Sequence, residues 1–353
     1  MSLAQGEPVD EGPPVPSSRL PHLDALRACA MLLGIVLHAA LAYSGIPWVA
    51  TDGRVPALAG AVVVIHGFRM ELFFLLSGFF SAMLLERRGL RGMVGHRARR
   101  IGLPLLLGLG TVVPLVWGVV IWAGVVGAST PPESAISRSA VPRSALVESA
   151  MTGSAVLEGR PDLDSDAEAG RSPMQVLGWI LFRFPVFHHL WFLWFLVWMV
   201  AGLAIATACA RSRPGRRLLD RLRPSPRFAR LLVASPFALV WLVPLTACTV
   251  AAMGAGREGP GFGADTSAGL LPMPAVLLHH GVFFAAGALL FSVPDALAGV
   301  SRRWSLSLLL AVAVLPVGVG FAFGAPWSRA VVAEPTLHRA VAAVGAALFA
   351  WLA

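Results

Sequence analysis

Residues 57–85 contain the predominantly apolar stretch ALAGAVVVIHGFRMELFFLLSGFFSAMLL, in which only Arg69 and Glu71 are charged. A helix that crosses a lipid bilayer needs about 20 mostly apolar residues, and this stretch exceeds that length. It therefore predicts a transmembrane helix. A charged side chain at the centre of such a helix costs about 2.5–3.5 kcal/mol on insertion scales. Arg69 and Glu71 thus require partners on other helices, an aqueous cavity or a position near a helix end.

The rest of the chain has the same apolar character. Of its 353 residues, 56% are hydrophobic and 13% are charged, whereas about a quarter of the residues in a soluble domain are charged. Further apolar segments long enough to span a bilayer occur at residues 23–44, 101–126, 189–210, 231–253, 274–293, 306–323 and 337–353. We predict an all-α fold, a polytopic transmembrane helical bundle with about eight spanning helices.

The arginines predict the orientation of this bundle. Residues 86–100 and 211–230 are arginine-rich and residues 295–303 end in Arg302 and Arg303, whereas the alternate connections are balanced or acidic. The positive-inside rule then places the amino terminus and the arginine-rich connections in the cytoplasm. We expect a multi-pass protein of the cell inner (plasma) membrane, in contact with lipid. The net charge of +9 is not accompanied by stacking aromatics among the arginines, so no nucleic-acid partner is expected.

Two segments outside the apolar runs lack the pattern of a packed core. Residues 1–18 are acidic and proline-rich, which predicts a disordered cytoplasmic tail, and residues 19–353 form the membrane domain. Within that domain, residues 127–173 are rich in Ser, Ala and Pro and predict a flexible extracytoplasmic loop. Residues 174–187 are too short to span and predict an interfacial or re-entrant helix.

The three cysteines do not indicate a cysteine-based site. Cys29, Cys209 and Cys248 lie inside apolar runs and have no CxxC spacing. Neither a disulfide framework nor a zinc site is predicted from them, and no metal is expected.

Arg27 and His38 lie on one face of the first predicted helix. Eleven steps of about 100° bring them within about 20° of each other, and they are about 16 Å apart along the axis. Asp24 precedes Arg27 by three residues and can pair with it. This face can hold an anionic group at its inner end and a proton acceptor deeper in the membrane.

Each of these residues also has a structural interpretation. Arg27 can anchor a helix end at the cytoplasmic surface, and His38 can be a hydrogen-bonded packing residue. Arg69 and Glu71 can form structural pairs between helices, because residues two apart on a helix face different directions.

Two motifs resemble the integral membrane acyltransferase 3 family. They are RLPHLDALR at residues 19–27, followed by His38, and FRMELFFLLSGF at residues 68–79. RARRIGLP at residues 97–104 and HLWFL at residues 189–193 are most similar to the glucan biosynthesis protein C branch of that family. The resemblance covers about the first 200 residues. The family core is expected to have about ten spanning helices, whereas about eight are predicted here, so two alternatives stay open beside an active enzyme: a truncated member and an inactive member.

The resemblance implies an O-acyltransferase. The acyl group would pass from cytoplasmic acyl-CoA, either acetyl- or succinyl-CoA, to a hydroxyl of an extracytoplasmic glycan, and no cofactor would be bound. In the glucan branch the expected donor is succinyl-CoA and the expected acceptor is a periplasmic glucan. His38 would be the catalytic histidine and Arg27 its paired arginine, with Arg69 and Glu71 in the second-helix motif. Arg27 would hold CoA phosphate, and Arg69 would bind the acyl carboxylate or stabilise the oxyanion. The contacts of Arg69 and Glu71 with donor or acceptor, and the oligomeric state, stay open.

The alternative from another class is a secondary transporter. Intramembrane Arg, Glu and His residues also mark the substrate pathways of transporters. Many transporters contain inverted repeats with broken helices, and the two halves of this sequence show no convincing similarity.

Overall fold

The computed structural model describes residues 21–44, 55–129, 173–222, 225–254, 261–293 and 296–353. The predicted tail at residues 1–18 lies outside this part of the chain, and so does the predicted loop at residues 127–173 except for its ends. The described residues form α-helices joined by short connections and contain no β-strand. The predicted all-α fold is confirmed.

Thirteen α-helices are described. Their bounds are α1 Pro21–Leu41, α2 Pro56–Arg97, α3 Leu103–Ser129, α4 Pro173–Phe182, α5 Trp191–Arg211, α6 Arg213–Leu222, α7 Pro226–Ala234, α8 Ala238–Gly254, α9 Pro274–Ser292, α10 Ala296–Ser301, α11 Trp304–Ala322, α12 Pro326–Val331 and α13 Pro335–Leu352. A π-helical segment, Ala98–Gly102, joins α2 to α3, and a 3-10 turn, His188–Leu190, precedes α5.

Six helical stretches among these residues are long and apolar enough to cross a membrane, or seven if the bent pair α7–α8 counts as one span. The longest, Pro56–Trp122, has 67 residues and would be about 100 Å long if straight. Instead it reverses at Gly89, whose φ of 66° and ψ of 179° are a backbone conformation that essentially only glycine adopts. The reversal brings a guanidinium nitrogen of Arg97 within 3.3 Å of the carbonyl oxygen of Ser77. The stretch is therefore a helical hairpin that accounts for the second and third predicted segments.

The predicted segment at residues 231–253 includes a break that its hydropathy did not show. The helices α7 and α8 meet at 48°, with Pro236 at the break, because proline disfavours helical geometry in the residue before it. The indole Nε1 of Trp241 donates to the carbonyl oxygen of Leu232 across the bend at 3.0 Å. The straight part of this span therefore begins at Ala238.

The connection at residues 174–187 agrees in part with the predicted interfacial helix. The helix α4 has ten residues, which is too short to span a bilayer. It ends at Phe182, just before Arg183 and Pro185.

Helices α2 and α9 cross in backbone contact at the centre of the bundle. A Cβ added to Gly78 would overlap the carbonyl oxygen of Phe284, and one added to Gly287 would overlap the carbonyl oxygen of Leu75. Only residues without a side chain permit such a close approach, as in other membrane helix pairs. The crossing fixes which residues of α2 face α9.

The outer surface of the bundle is apolar. Leu106, Leu115 and Leu309 are 66–69% exposed, and many other large apolar side chains of the spanning helices are also exposed. A soluble protein rarely exposes such extended apolar surface. The chain is therefore a membrane protein whose spanning helices face lipid.

Candidate active site

Helix α1 presents one polar face to the rest of the bundle. Arg27, Gly34 and His38 follow one another at intervals of seven and four residues, which places them on the same side of the helix. The guanidinium of Arg69, from α2, lies against Gly34, since a Cβ on Gly34 would overlap its Nη1 atom. Arg69 thus lies at a level between Arg27 and His38.

The guanidinium of Arg69 has spare hydrogen-bonding capacity. Its Nε atom is buried and has no acceptor among the described residues. An unpaired buried N–H group is costly, and a guanidinium binds carboxylate or phosphate oxygens well. This arrangement suits an anionic group of a substrate.

His38 lies beside His189. Their ring centroids are 5.4 Å apart, and both residues have exposed surface. His38 is one turn from the end of α1 at Leu41, so it is closer to the carboxyl end of the helix than the sequence suggested. The exposed surface of this imidazole therefore lies at the end of the bundle that contains the carboxyl end of α1.

At the opposite end of α1, Arg27 forms the predicted pair with Asp24, with 3.6 Å between Nη1 and Oδ1. Its Cζ atom lies 5.0 Å from the centroid of the Phe80 ring, a cation–π contact. Because Arg97 reaches the carbonyl oxygen of Ser77, both arginines meet the same turn of α2.

Arg97 completes a cluster of positive charge. It lies within electrostatic range of Arg27 and Arg100, and its buried Nε atom has no acceptor among the residues that the structure describes. Sequence reasoning did not assign Arg97 to the site. A glycine inside a long helical segment, Gly89, was the available signal that the chain turns back there.

Glu71 faces away from this polar face, toward α9. Its Oε1 atom lies 3.4 Å from Nε2 of His279, and both side chains are buried. Arg69 and Glu71 therefore contact different helices, as their two-residue spacing predicted. Their catalytic roles stay predictions. The sequence reasoning missed His279 and His280, although two adjacent ionisable residues in an apolar helix are a recognisable signal.

The fold and the polar face of α1 define a polytopic membrane protein with a line of cationic and imidazole groups running through its apolar bundle. The family is equally clear: the chain belongs to the acyltransferase 3 family, because the model of that family's acyltransferase domain matches residues 20–353.

Curated relatives match this chain over a shorter stretch than the family model does. The glucans biosynthesis protein C of Escherichia coli strain SMS-3-5 is 41% identical to this chain over 105 residues. The proteins of the same name from strains E24377A and HS show the same identity over the same length. The matched stretch covers 29% of this chain and 26% of each relative, about a quarter of their length. No solved structure matches the chain.

Proposed function

We propose that this protein is a membrane-embedded O-acyltransferase that moves an acyl group from cytoplasmic acyl-CoA to a hydroxyl of an extracytoplasmic glycan. The names of its relatives favour a glucan as the acceptor, and succinyl-CoA is the proposed donor. The observation that carries the proposal is the line of groups along α1, with Arg27 at one end, Arg69 between and His38 at the other.

The arginine cluster supports an acyl-CoA donor. Coenzyme A carries several phosphate charges, and guanidinium groups bind phosphate oxygens bidentately. Arg27, Arg97 and Arg100 provide three such groups at one end of the bundle. The positive-inside rule favours the cytoplasm for this arginine-rich end, and so a cytoplasmic amino terminus in the inner membrane.

In the proposed reaction His38 acts as the general base and Arg69 stabilises negative charge. Neutral His38 accepts the proton of the glycan hydroxyl as its oxygen attacks the thioester carbonyl. A C–O bond forms, the C–S bond breaks, and the proton passes from the imidazole to the departing CoA thiolate. Arg69 donates its unpaired N–H to the developing oxyanion or to the free carboxylate of a succinyl group.

The test uses full-length protein in lipid nanodiscs with succinyl-CoA and a short glucan. Removing a general base lowers the rate by about 10²–10⁴-fold, so His38→Ala is expected to abolish thiol release and glucan labelling. Met31→Ala is the control, because Met31 is an exposed residue of the same helix. Unchanged transfer by His38→Ala would refute the general-base role, and wild-type protein that releases no thiol would favour a transporter.

A further inference from the structure

Three ionisable side chains meet in the buried seam between α2 and α9. They are Glu71, His279 and His280, each 1% exposed. One ligand atom from each residue lies within 4.8 Å of the other two. The cluster faces away from the polar face of α1, and the acyl-transfer chemistry above does not use it.

The hydrogen bonds of Thr249 indicate which ring nitrogen of His279 carries the proton. The hydroxyl of Thr249 lies 2.7 Å from the carbonyl oxygen of Thr246, a short contact that requires the hydroxyl to donate its proton there. The same oxygen lies 2.9 Å from Nδ1 of His279, so it accepts a proton from that nitrogen. In a neutral imidazole the other nitrogen then carries a lone pair.

That lone pair points at another acceptor. Nε2 of His279 lies 3.4 Å from Oε1 of Glu71, and two acceptors facing each other in a dry seam repel. Three further atoms of the cluster have no hydrogen-bond partner within the described part of the chain: Oε2 of Glu71 and both ring nitrogens of His280. Buried polar atoms are rarely left unsatisfied. A cation among these atoms removes the conflict.

We propose that Glu71, His279 and His280 form a binding site for a divalent transition-metal ion of the zinc class. Two imidazoles and one carboxylate are a donor set that Zn²⁺ uses, with metal–ligand bonds of about 2.0–2.2 Å. In tetrahedral geometry such bonds hold ligand atoms about 3.3–3.6 Å apart, so a bound ion would draw the most distant atoms of the cluster together by roughly 1 Å.

The surroundings fit a metal site. Thr249 orients His279 through the ring nitrogen that does not face the ion, as groups next to a metal ligand usually do. The ring of His280 lies among three aromatic side chains, with centroid distances of 4.6 Å to Phe74, 5.6 Å to Trp191 and 6.1 Å to Phe195. These rings exclude water, which strengthens the attraction between the ion and the carboxylate.

The ion joins α2 to α9 near the place where Gly78 and Gly287 bring the two backbones into contact. Since Glu71 follows Arg69 by two residues on α2, fixing the rotation of α2 also fixes the position of Arg69 against α1. The site thus positions the polar face without touching substrate.

Metal content tests the proposal independently of acyl transfer. Protein purified in detergent without a histidine tag is analysed by inductively coupled plasma mass spectrometry, then stripped with chelator and titrated with Co²⁺. About one ion per chain and the visible absorption bands of Co²⁺ bound by nitrogen and oxygen are expected in the wild type. Both are expected to fall at least tenfold in Glu71→Gln and His279→Gln. His338→Gln is the control, because His338 contacts Ser328 on another helix pair.

Melting temperatures with and without chelator distinguish the loss of a metal ligand from misfolding of a variant. Chelator is expected to lower the melting temperature of the wild type and to leave that of the isosteric variant Glu71→Gln unchanged. Folded wild-type protein that binds no Co²⁺ at millimolar concentration would overturn the proposal. Variants that bind Co²⁺ like the wild type would also overturn it, and would indicate that Glu71 and His279 share only a proton.

Discussion

The guanidinium of Arg69 lies against the backbone of Gly34, one turn before His38 on the same face of α1. Gly34 is buried, and its missing side chain provides the space that the guanidinium occupies. Helix α1 therefore determines the position of an arginine that belongs to α2.

Gly34→Ala should reduce acyl transfer at least tenfold. The added methyl group overlaps Nη1 of Arg69, so the guanidinium must move away from Gly34, and small displacements of a positioning group cost about 10²-fold in rate. The measurement is the rate of succinyl transfer by protein with a normal melting temperature. Gly60→Ala is the control, because nothing lies within 4 Å of its added methyl group. Equal rates for the two variants would contradict the assignment of Arg69.

Arg97→Ala should raise the KM for acyl-CoA about tenfold and change kcat little. The substitution removes one cation from the cluster at the Ser77–Phe80 turn, and a charge-assisted hydrogen bond contributes about 1.5–3 kcal/mol. Steady-state kinetics with varied acyl-CoA check this. Arg91→Ala, an exposed arginine of the same hairpin, should keep the wild-type KM. If Arg91→Ala raised the KM for acyl-CoA by a similar factor, the KM would depend on the total positive charge of this region and not on Arg97 in particular.

Gly78→Ala should destabilise the bundle by about 1–3 kcal/mol, the usual cost of overpacking. Its methyl group overlaps the carbonyl oxygen of Phe284, a backbone atom that cannot rotate away. Thermal unfolding in detergent measures the loss. Gly202→Ala meets nothing within 4 Å and should be as stable as the wild type or more so, because alanine favours helix. A melting temperature for Gly78→Ala at or above the wild-type value would refute the close crossing.

Glu334 should make the stability of α13 depend on pH. The backbone N–H groups of Leu337 and Thr336 donate to its carboxylate and hold its pKa below the ordinary value. A carboxyl group whose pKa is lowered by folding stabilises the fold above its unfolded pKa, about 4.3, and this contribution is lost as the pH falls through the folded value. The difference in melting temperature between wild type and Glu334→Gln should therefore shrink below about pH 4. Glu334→Asp keeps a carboxylate cap, so its melting temperature should depend on pH as that of the wild type does. If the difference between wild type and Glu334→Gln did not change with pH, titration of Glu334 would be excluded as its cause.

Hydropathy predicted most spanning helices well. The segment at residues 274–293 corresponds to α9, Pro274–Ser292, and the segment at residues 189–210 to α5, Trp191–Arg211. These predictions succeed because the length of an apolar run is set by the thickness of the bilayer. Residues 86–100, expected as a connection, are helical on both sides of Gly89. Arginine-rich sequence does not prevent helix formation, and only the glycine breaks the pattern.

The candidate site was predictable only where its residues share one helix. The common face of Arg27 and His38 follows from helical periodicity. The contact between Glu71 and His279 joins residues 208 positions apart, and no local pattern specifies which helices become neighbours. His189 beside His38 and Arg97 beside Ser77 depend in the same way on tertiary packing.

The double glycine crossing also limits how this protein can move. The carbonyl oxygens of Phe284 and Leu75 already lie against the backbone at Gly78 and Gly287, which leaves little space for rotation of α2 against α9, so we expect the pair to behave as a fixed frame. A rocking cycle of alternating access that moved α2 against α9 would have to separate these two helices, whereas an acyltransferase whose substrate-binding residues stay in place would not. Any motion that admits the proposed substrates would then be expected in the outer helices, among them α1, which carries Arg27 and His38.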